Sequence, residues 1–119
     1  VDRAYRLPTG RLVLMELKRR SSFRVYPSDI VQLSAQKVAL EGATGEAIEP
    51  YAFVRVVTSE RNDLPPRRVA LLDASEVVAL VRRREAILAG RVAPGYAQSS
   101  RACRDCAFRA CCDRPRRAG

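Results

Sequence analysis

The sequence predicts an α/β sandwich. Strand-like and helix-like segments alternate in the order β-β-α-β-β-α, and Gly and Pro mark most of the junctions between them. The 119 residues suffice for one domain with a core of its own. Hydrophobic residues make up 47%, the ordinary globular share, which argues against wholesale disorder.

Residues 1–6 and 12–18 read as two strands joined by Leu7-Pro8-Thr9-Gly10-Arg11, hence a β-hairpin. Residues 21–27 form a polar loop carrying Phe23 and Tyr26. Ser28 offers an N-cap, with Asp29 in the first turn, for a helix to about Glu41 whose apolar stripe includes Ile30, Leu33 and Val38. Gly42-Ala43-Thr44-Gly45 is expected to end it. Residues 51–58 are rich in β-branched and aromatic side chains and predict a buried strand. A turn around Pro65-Pro66 leads to a strand over 67–72, and Asp73-Ala74-Ser75-Glu76 has capping-box character for a helix to about Ala89. All four cysteines follow in a tail with no long element. The expected division is a core over 1–95 and a cysteine-rich basic tail over 96–119.

Charge narrows the classes of partner. Lys and Arg total 22 against 13 Asp and Glu, a net +9 that favours polyanions such as nucleic acid. Histidine is absent, which removes Ser-His-Asp and Cys-His catalysis and every His-containing zinc site. No apolar run approaches the ~20 residues of a membrane span, so no membrane partner is expected. With no secretory leader in the sequence, a cytoplasmic location is expected.

Centring the hairpin turn on Pro8-Thr9-Gly10 places Asp2 across from Glu16. Two carboxylates in that relation repel unless a cation lies between them. Glu16 and Lys18, two residues apart, project from the same face of their strand. That face is a candidate site for a metal-activated water and a cation to orient or deprotonate it. A Glu-x-Lys pair on a strand is equally a common surface arrangement, and a one-residue slip would separate Asp2 from Glu16.

The tail places Cys103, Cys106, Cys111 and Cys112 within ten residues. The Cys103–Cys106 spacing is that of a chelating pair for zinc or an iron–sulfur cluster. The fourth ligand is then Cys111 or a cysteine outside the sequence, because the side chains of adjacent cysteines diverge. Six arginines (Arg101, Arg104, Arg109, Arg114, Arg116 and Arg117) surround the thiols and would favour thiolates or grip phosphates, with Phe108 or Tyr96 available to stack on bases.

The segments Val1-Asp2-Arg3 and Leu14-Met15-Glu16-Leu17-Lys18 resemble the paired Asp and (Asp/Glu)-x-Lys motifs of the PD-(D/E)XK nucleases. Ser28-Asp29-Ile30-Val31-Gln32 resembles the Gln-bearing helix of the RecB-like branch. The tail, Cys103-x2-Cys106-x5-Cys112, is similar to that of the CRISPR-associated RecB-like exonucleases. These features follow the family's order over nearly the whole chain.

The resemblance implies a restriction-endonuclease-like three-layer sandwich with a central mixed sheet, and a nuclease that hydrolyses DNA single strands or ends with Mg2+ or Mn2+. Asp2 and Glu16 would be the metal ligands, Lys18 the residue acting on water, and Gln32 a support for the site or a phosphate contact. Cys103, Cys106 and Cys112 would hold a 4Fe–4S cluster, with zinc as the alternative and Cys111 as a further candidate ligand. DNA is the implied partner, with CRISPR-adaptation or helicase–nuclease proteins beside it. Position 36 is Gln where the family has Tyr, and the family's N-terminal helix and upstream cysteine are absent, as expected of a chain that begins within a longer protein. The rival expectation is a non-catalytic basic module that grips nucleic acid and uses the cysteines structurally.

Overall fold

The computed structural model describes residues 2–97 and 99–112. Val1 of the expected first strand and Arg114, Arg116 and Arg117 of the basic tail lie outside the described residues. The chain forms two compact units, Val1–Arg82 and Arg83–Gly119. The first is an α/β unit built on a four-stranded, mixed, open sheet in the order β1-β2-β3-β4.

Strand β1 (Arg3–Arg6) pairs antiparallel with β2 (Leu12–Arg19), with Arg3 opposite Met15 and Arg6 opposite Leu12. This is the register expected from the turn. Its closure is local: Leu7 N–H donates to Arg11 C=O and Gly10 N–H to Leu7 C=O, both at 2.9 Å. Gly10 sits at φ 85°, in the left-handed region that glycine enters without a Cβ penalty.

Helix α1 (Pro27–Thr44) carries the chain across to β3 (Ile48–Val57), which pairs parallel to β2. The helix begins earlier than expected. Tyr26 is the N-cap, Pro27 opens the first turn and Ser28 is already helical. Proline suits that first position because its missing N–H would have no helical partner. Asp29 supplies the cap, its Oδ2 accepting the Tyr26 N–H at 2.8 Å. The helix also runs through Gly42 to Thr44 and stops where Gly45 turns left-handed at φ 71° and donates to Glu41 C=O.

Strand β3 starts three residues before its expected beginning, absorbing Pro50 at an irregularity where the β2 register shifts between Leu12 and Leu14. Strand β4 (Arg67–Ala70) is shorter than expected and pairs antiparallel with β3. Helix α2 (Ala74–Leu88) begins with the expected capping box: Asp73 Oδ1 accepts the Glu76 N–H at 2.9 Å, and Glu76 Oε2 accepts the Asp73 N–H at 2.8 Å.

Partners across a ladder share a face of the sheet, so Leu14, Glu16 and Lys18 lie on the same side as Ala52, Val54 and Val56. The core forms on that side. Leu14, Leu33 of α1, Ile48, Ala52 and Val54 are completely buried, and Val56 nearly so. Ser34, also completely buried, donates its hydroxyl to Ile30 C=O at 2.6 Å and accepts the Leu72 N–H at 2.9 Å, tying α1 to the chain leaving β4. That Ser occupies a helical core position because both of its hydrogen-bonding roles are met.

The second unit holds the short helix α3 (Ser100–Arg104), capped by the Ser99 hydroxyl, which accepts the Ala102 N–H at 3.2 Å, and a 3-10 turn over Arg109–Cys111. No helix among the described residues is long and apolar enough to cross a membrane.

Candidate active site

Three of the expected site residues meet on the helix-covered face of the sheet. Glu16 projects from β2 opposite Val54 and is 6% exposed. Lys18, one pleat on, lies opposite Val56 and reaches back so that its Nζ is 3.1 Å from Glu16 Oε1. Gln32, in the second turn of α1, completes the triangle. Its Oε1 accepts from Lys18 Nζ at 2.9 Å, and its Nε2 donates to Glu16 Oε1 at 3.2 Å. The crossover from β2 through α1 to β3 brings one strand and one helix together at this point.

The sequence produces this arrangement through two periodicities. Alternation along β2 sends Leu14, Glu16 and Lys18 the same way, and Gln32 is placed beside them by its neighbour Leu33, which is anchored in the core. A buried carboxylate is tolerable when paired and hydrogen-bonded, and Lys18 and Gln32 provide both.

Asp2 is placed differently. It precedes the first ladder residue of β1, is exposed, and its Oδ2 accepts the backbone N–H of Leu17 at 2.6 Å. Its carboxylate therefore rests against the segment of β2 between Glu16 and Lys18. Among the described residues no group of three or more His, Cys, Asp and Glu side chains is gathered for a metal. Mg2+ commonly binds through one or two carboxylates together with water, and Asp2 and Glu16 offer hard oxygen donors of that kind.

Beyond the site, two features escaped the sequence reading. The first is an ion pair between Arg20 and Asp29. The Arg20 guanidinium meets the Asp29 carboxylate through two bonds of 2.6 and 2.5 Å, donates to Arg24 C=O at 2.8 Å and lies 4.8 Å from the Tyr26 ring centroid. Hydrogen bonding to Arg20 is the largest influence on Asp29 and holds its carboxyl below the usual range despite burial. The pair joins the end of β2 to the start of α1, the two elements that carry Lys18 and Gln32. The second is a cavity of about 240 Å3 lined by Phe23, Val56, Leu64, Pro65, Pro66 and Arg67.

In the second unit all four cysteines are free thiols. Cys103 is half-buried near the end of α3, and Cys106, Cys111 and Cys112 are exposed. The Cys106 N–H donates to Cys103 C=O at 3.4 Å, and the Cys111 thiol donates to Phe108 C=O at 3.4 Å. The chain matches no protein-family model and no curated protein.

Proposed function

We propose that the chain is the catalytic part of a metal-dependent DNA nuclease of the RecB-like PD-(D/E)XK type, its sheet and helices forming the core of a restriction-endonuclease-like sandwich. The observation that carries this reading is the Glu16–Lys18–Gln32 triangle on one face of a mixed sheet. Asp2 and Glu16 would hold Mg2+ or Mn2+, which supplies charge neutralisation at the phosphate and a more acidic water. Lys18 positions the attacking water and stabilises the negative charge that grows on it, while Gln32 holds Lys18 and Glu16 in register. Water oxygen bonds to phosphorus and releases a proton to solvent, one ester P–O bond breaks, and the leaving oxygen takes up a proton from solvent.

The test is incubation of the 119-residue chain with end-labelled single-stranded DNA in Mn2+ or Mg2+, alongside salt-dependent binding without metal. Shortening of the DNA is expected. Binding is expected to weaken about thirtyfold between 50 and 200 mM salt, as three or four phosphate contacts to a single strand would require. Salt-dependent binding without cleavage would instead support a basic nucleic-acid-binding module.

The same reading gives Cys103, Cys106 and Cys112, with Cys111 as a further candidate, to an iron–sulfur cluster or zinc. Ligands that are not preorganised couple metal binding to folding. Cys103→Ser is therefore expected to abolish bound metal and to open the chain to proteases beyond Tyr96, leaving the hairpin folded. Metal analysis with absorption spectroscopy on anaerobically purified protein checks this. All four thiols free and metal-free in a chain extended upstream would end the assignment.

A further inference from the structure

We propose that the cavity beside the triangle is a subsite for one unpaired nucleobase, with Arg67 gripping a neighbouring phosphate. This inference rests on the nucleic-acid reading above and names the feature of the substrate that the site selects. The cavity lies next to the triangle because Val56, which lines it, is the ladder partner of Lys18. Arg67 is placed by the same register: Glu16 pairs with Val54 and Val54 with Arg67, so all three share one row and one face. Two strand spacings, about 10 Å, separate the first from the last. That span brings a phosphate near Arg67 and another near Glu16 within reach of one short stretch of strand.

The lining suits a base. Phe23, Val56, Leu64, Pro65 and Pro66 are apolar, and one cation stands among them. The volume of about 240 Å3 falls below the ~300–1,000 Å3 of sites for drug-sized ligands, which limits the occupant to a small ring system. Arg67 is exposed and enters no ion pair among the described residues, leaving its guanidinium available to phosphate.

Both walls are held in place before any ligand arrives. The Arg20–Asp29 pair and the Arg20 bond to Arg24 C=O fix the loop bearing Phe23. The loop bearing Leu64 is fixed by Arg55, which donates to Asn62 C=O at 2.6 Å, and by Thr58 N–H, which donates to Arg61 C=O at 2.9 Å. Walls ordered in advance reduce the entropy lost on binding. A paired base cannot leave its stack without cost, so such a subsite favours single strands or frayed ends.

The experiment measures fluorescence anisotropy of the full chain, without divalent metal, on a fluorescein-labelled ten-residue thymidine strand and on an abasic strand of equal length. The parent chain is expected to prefer the base-bearing strand by about tenfold. Phe23→Leu and Leu64→Ser should each abolish that preference. Leu64 lies in a loop outside the core cluster, so its variant answers the question even where Phe23→Leu lowers the melting temperature. Arg67→Ala should weaken both strands equally and reduce the salt slope by about one contact. Equal affinity for the two strands in the parent, or a preference that survives both apolar substitutions, overturns the subsite. Cleavage plays no part in the readout: base preference without cleavage leaves the subsite standing and removes the nuclease reading, whereas cleavage without base preference removes the subsite alone.

Discussion

Glu16→Gln is expected to slow DNA cleavage by at least about a hundredfold, the scale on which the loss of one preorganised charged contact at a reacting centre is felt. The substitution keeps the shape of the side chain and an oxygen that accepts from Lys18 and Gln32, the two donors now 3.1 and 3.2 Å from Glu16 Oε1. What it removes is the charge that would hold a divalent cation against a phosphate. Lys18→Met should produce a comparable loss by a different route, since it removes the cation proposed to position water while leaving the Glu16 carboxylate in place. The two variants are separable by metal dependence. Raising Mn2+ should partly rescue Glu16→Gln, whose defect is in metal affinity, and should not rescue Lys18→Met. Initial rates on labelled single-stranded DNA, with circular-dichroism melting to verify folding, decide the matter. A Glu16→Gln variant that cleaves at the parent's rate refutes the catalytic assignment.

The hairpin was legible because its determinants are local. A five-residue connection with Pro8 and Gly10 fixes the register, and alternation then dictates that Glu16 and Lys18 share a face, whereas that this face is the helix-covered one comes from the fold. The capping box at Asp73 was legible for the same reason, since both partners lie within four residues. The start of α1 was misjudged because Ser28 is a good cap in isolation, whereas Pro27 fits the first helical position and Asp29 can cap from inside the helix.

The remainder depends on distance along the chain. Lys18 and Gln32 are fourteen residues apart and meet only because α1 crosses back over β2. Nothing near Arg67 marks it as a site residue, because its place in the row with Glu16 comes from β3 and β4 pairing in one particular register. Arg20 reads as one more cation among twenty-two basic residues until the fold brings Asp29 against it. Periodicity reports which way a side chain points, and only the tertiary fold reports what it meets.

Arg20→Met is expected to destabilise the chain by about 3 kcal/mol, because it strands the buried Asp29 carboxylate. Asp29 is 3% exposed, and without Arg20 the hydrogen-bond donor left to its carboxylate among the described residues is the Tyr26 N–H, 2.8 Å away. In a domain of this size such a loss lowers the melting temperature by about 10 °C. The double variant Arg20→Met/Asp29→Asn should recover most of it, since the amide still caps α1 through its oxygen and has no charge to strand. The pH dependence follows from the depressed Asp29 carboxyl. A carboxyl whose folded pKa lies below its unfolded value of about 3.9 contributes stability in full well above that value, and the contribution disappears as pH falls through the folded pKa. The stability gap between parent and Arg20→Met should accordingly be widest near pH 7 and narrow steadily below about pH 4. Urea titrations at pH 7 and pH 3 measure it, and a gap equal at the two pH values contradicts the ionic origin of the clamp. Because the clamp joins the strand bearing Lys18 to the helix bearing Gln32, Arg20→Met should also reduce cleavage at temperatures where the variant is still folded, through misalignment of two groups now 2.9 Å apart.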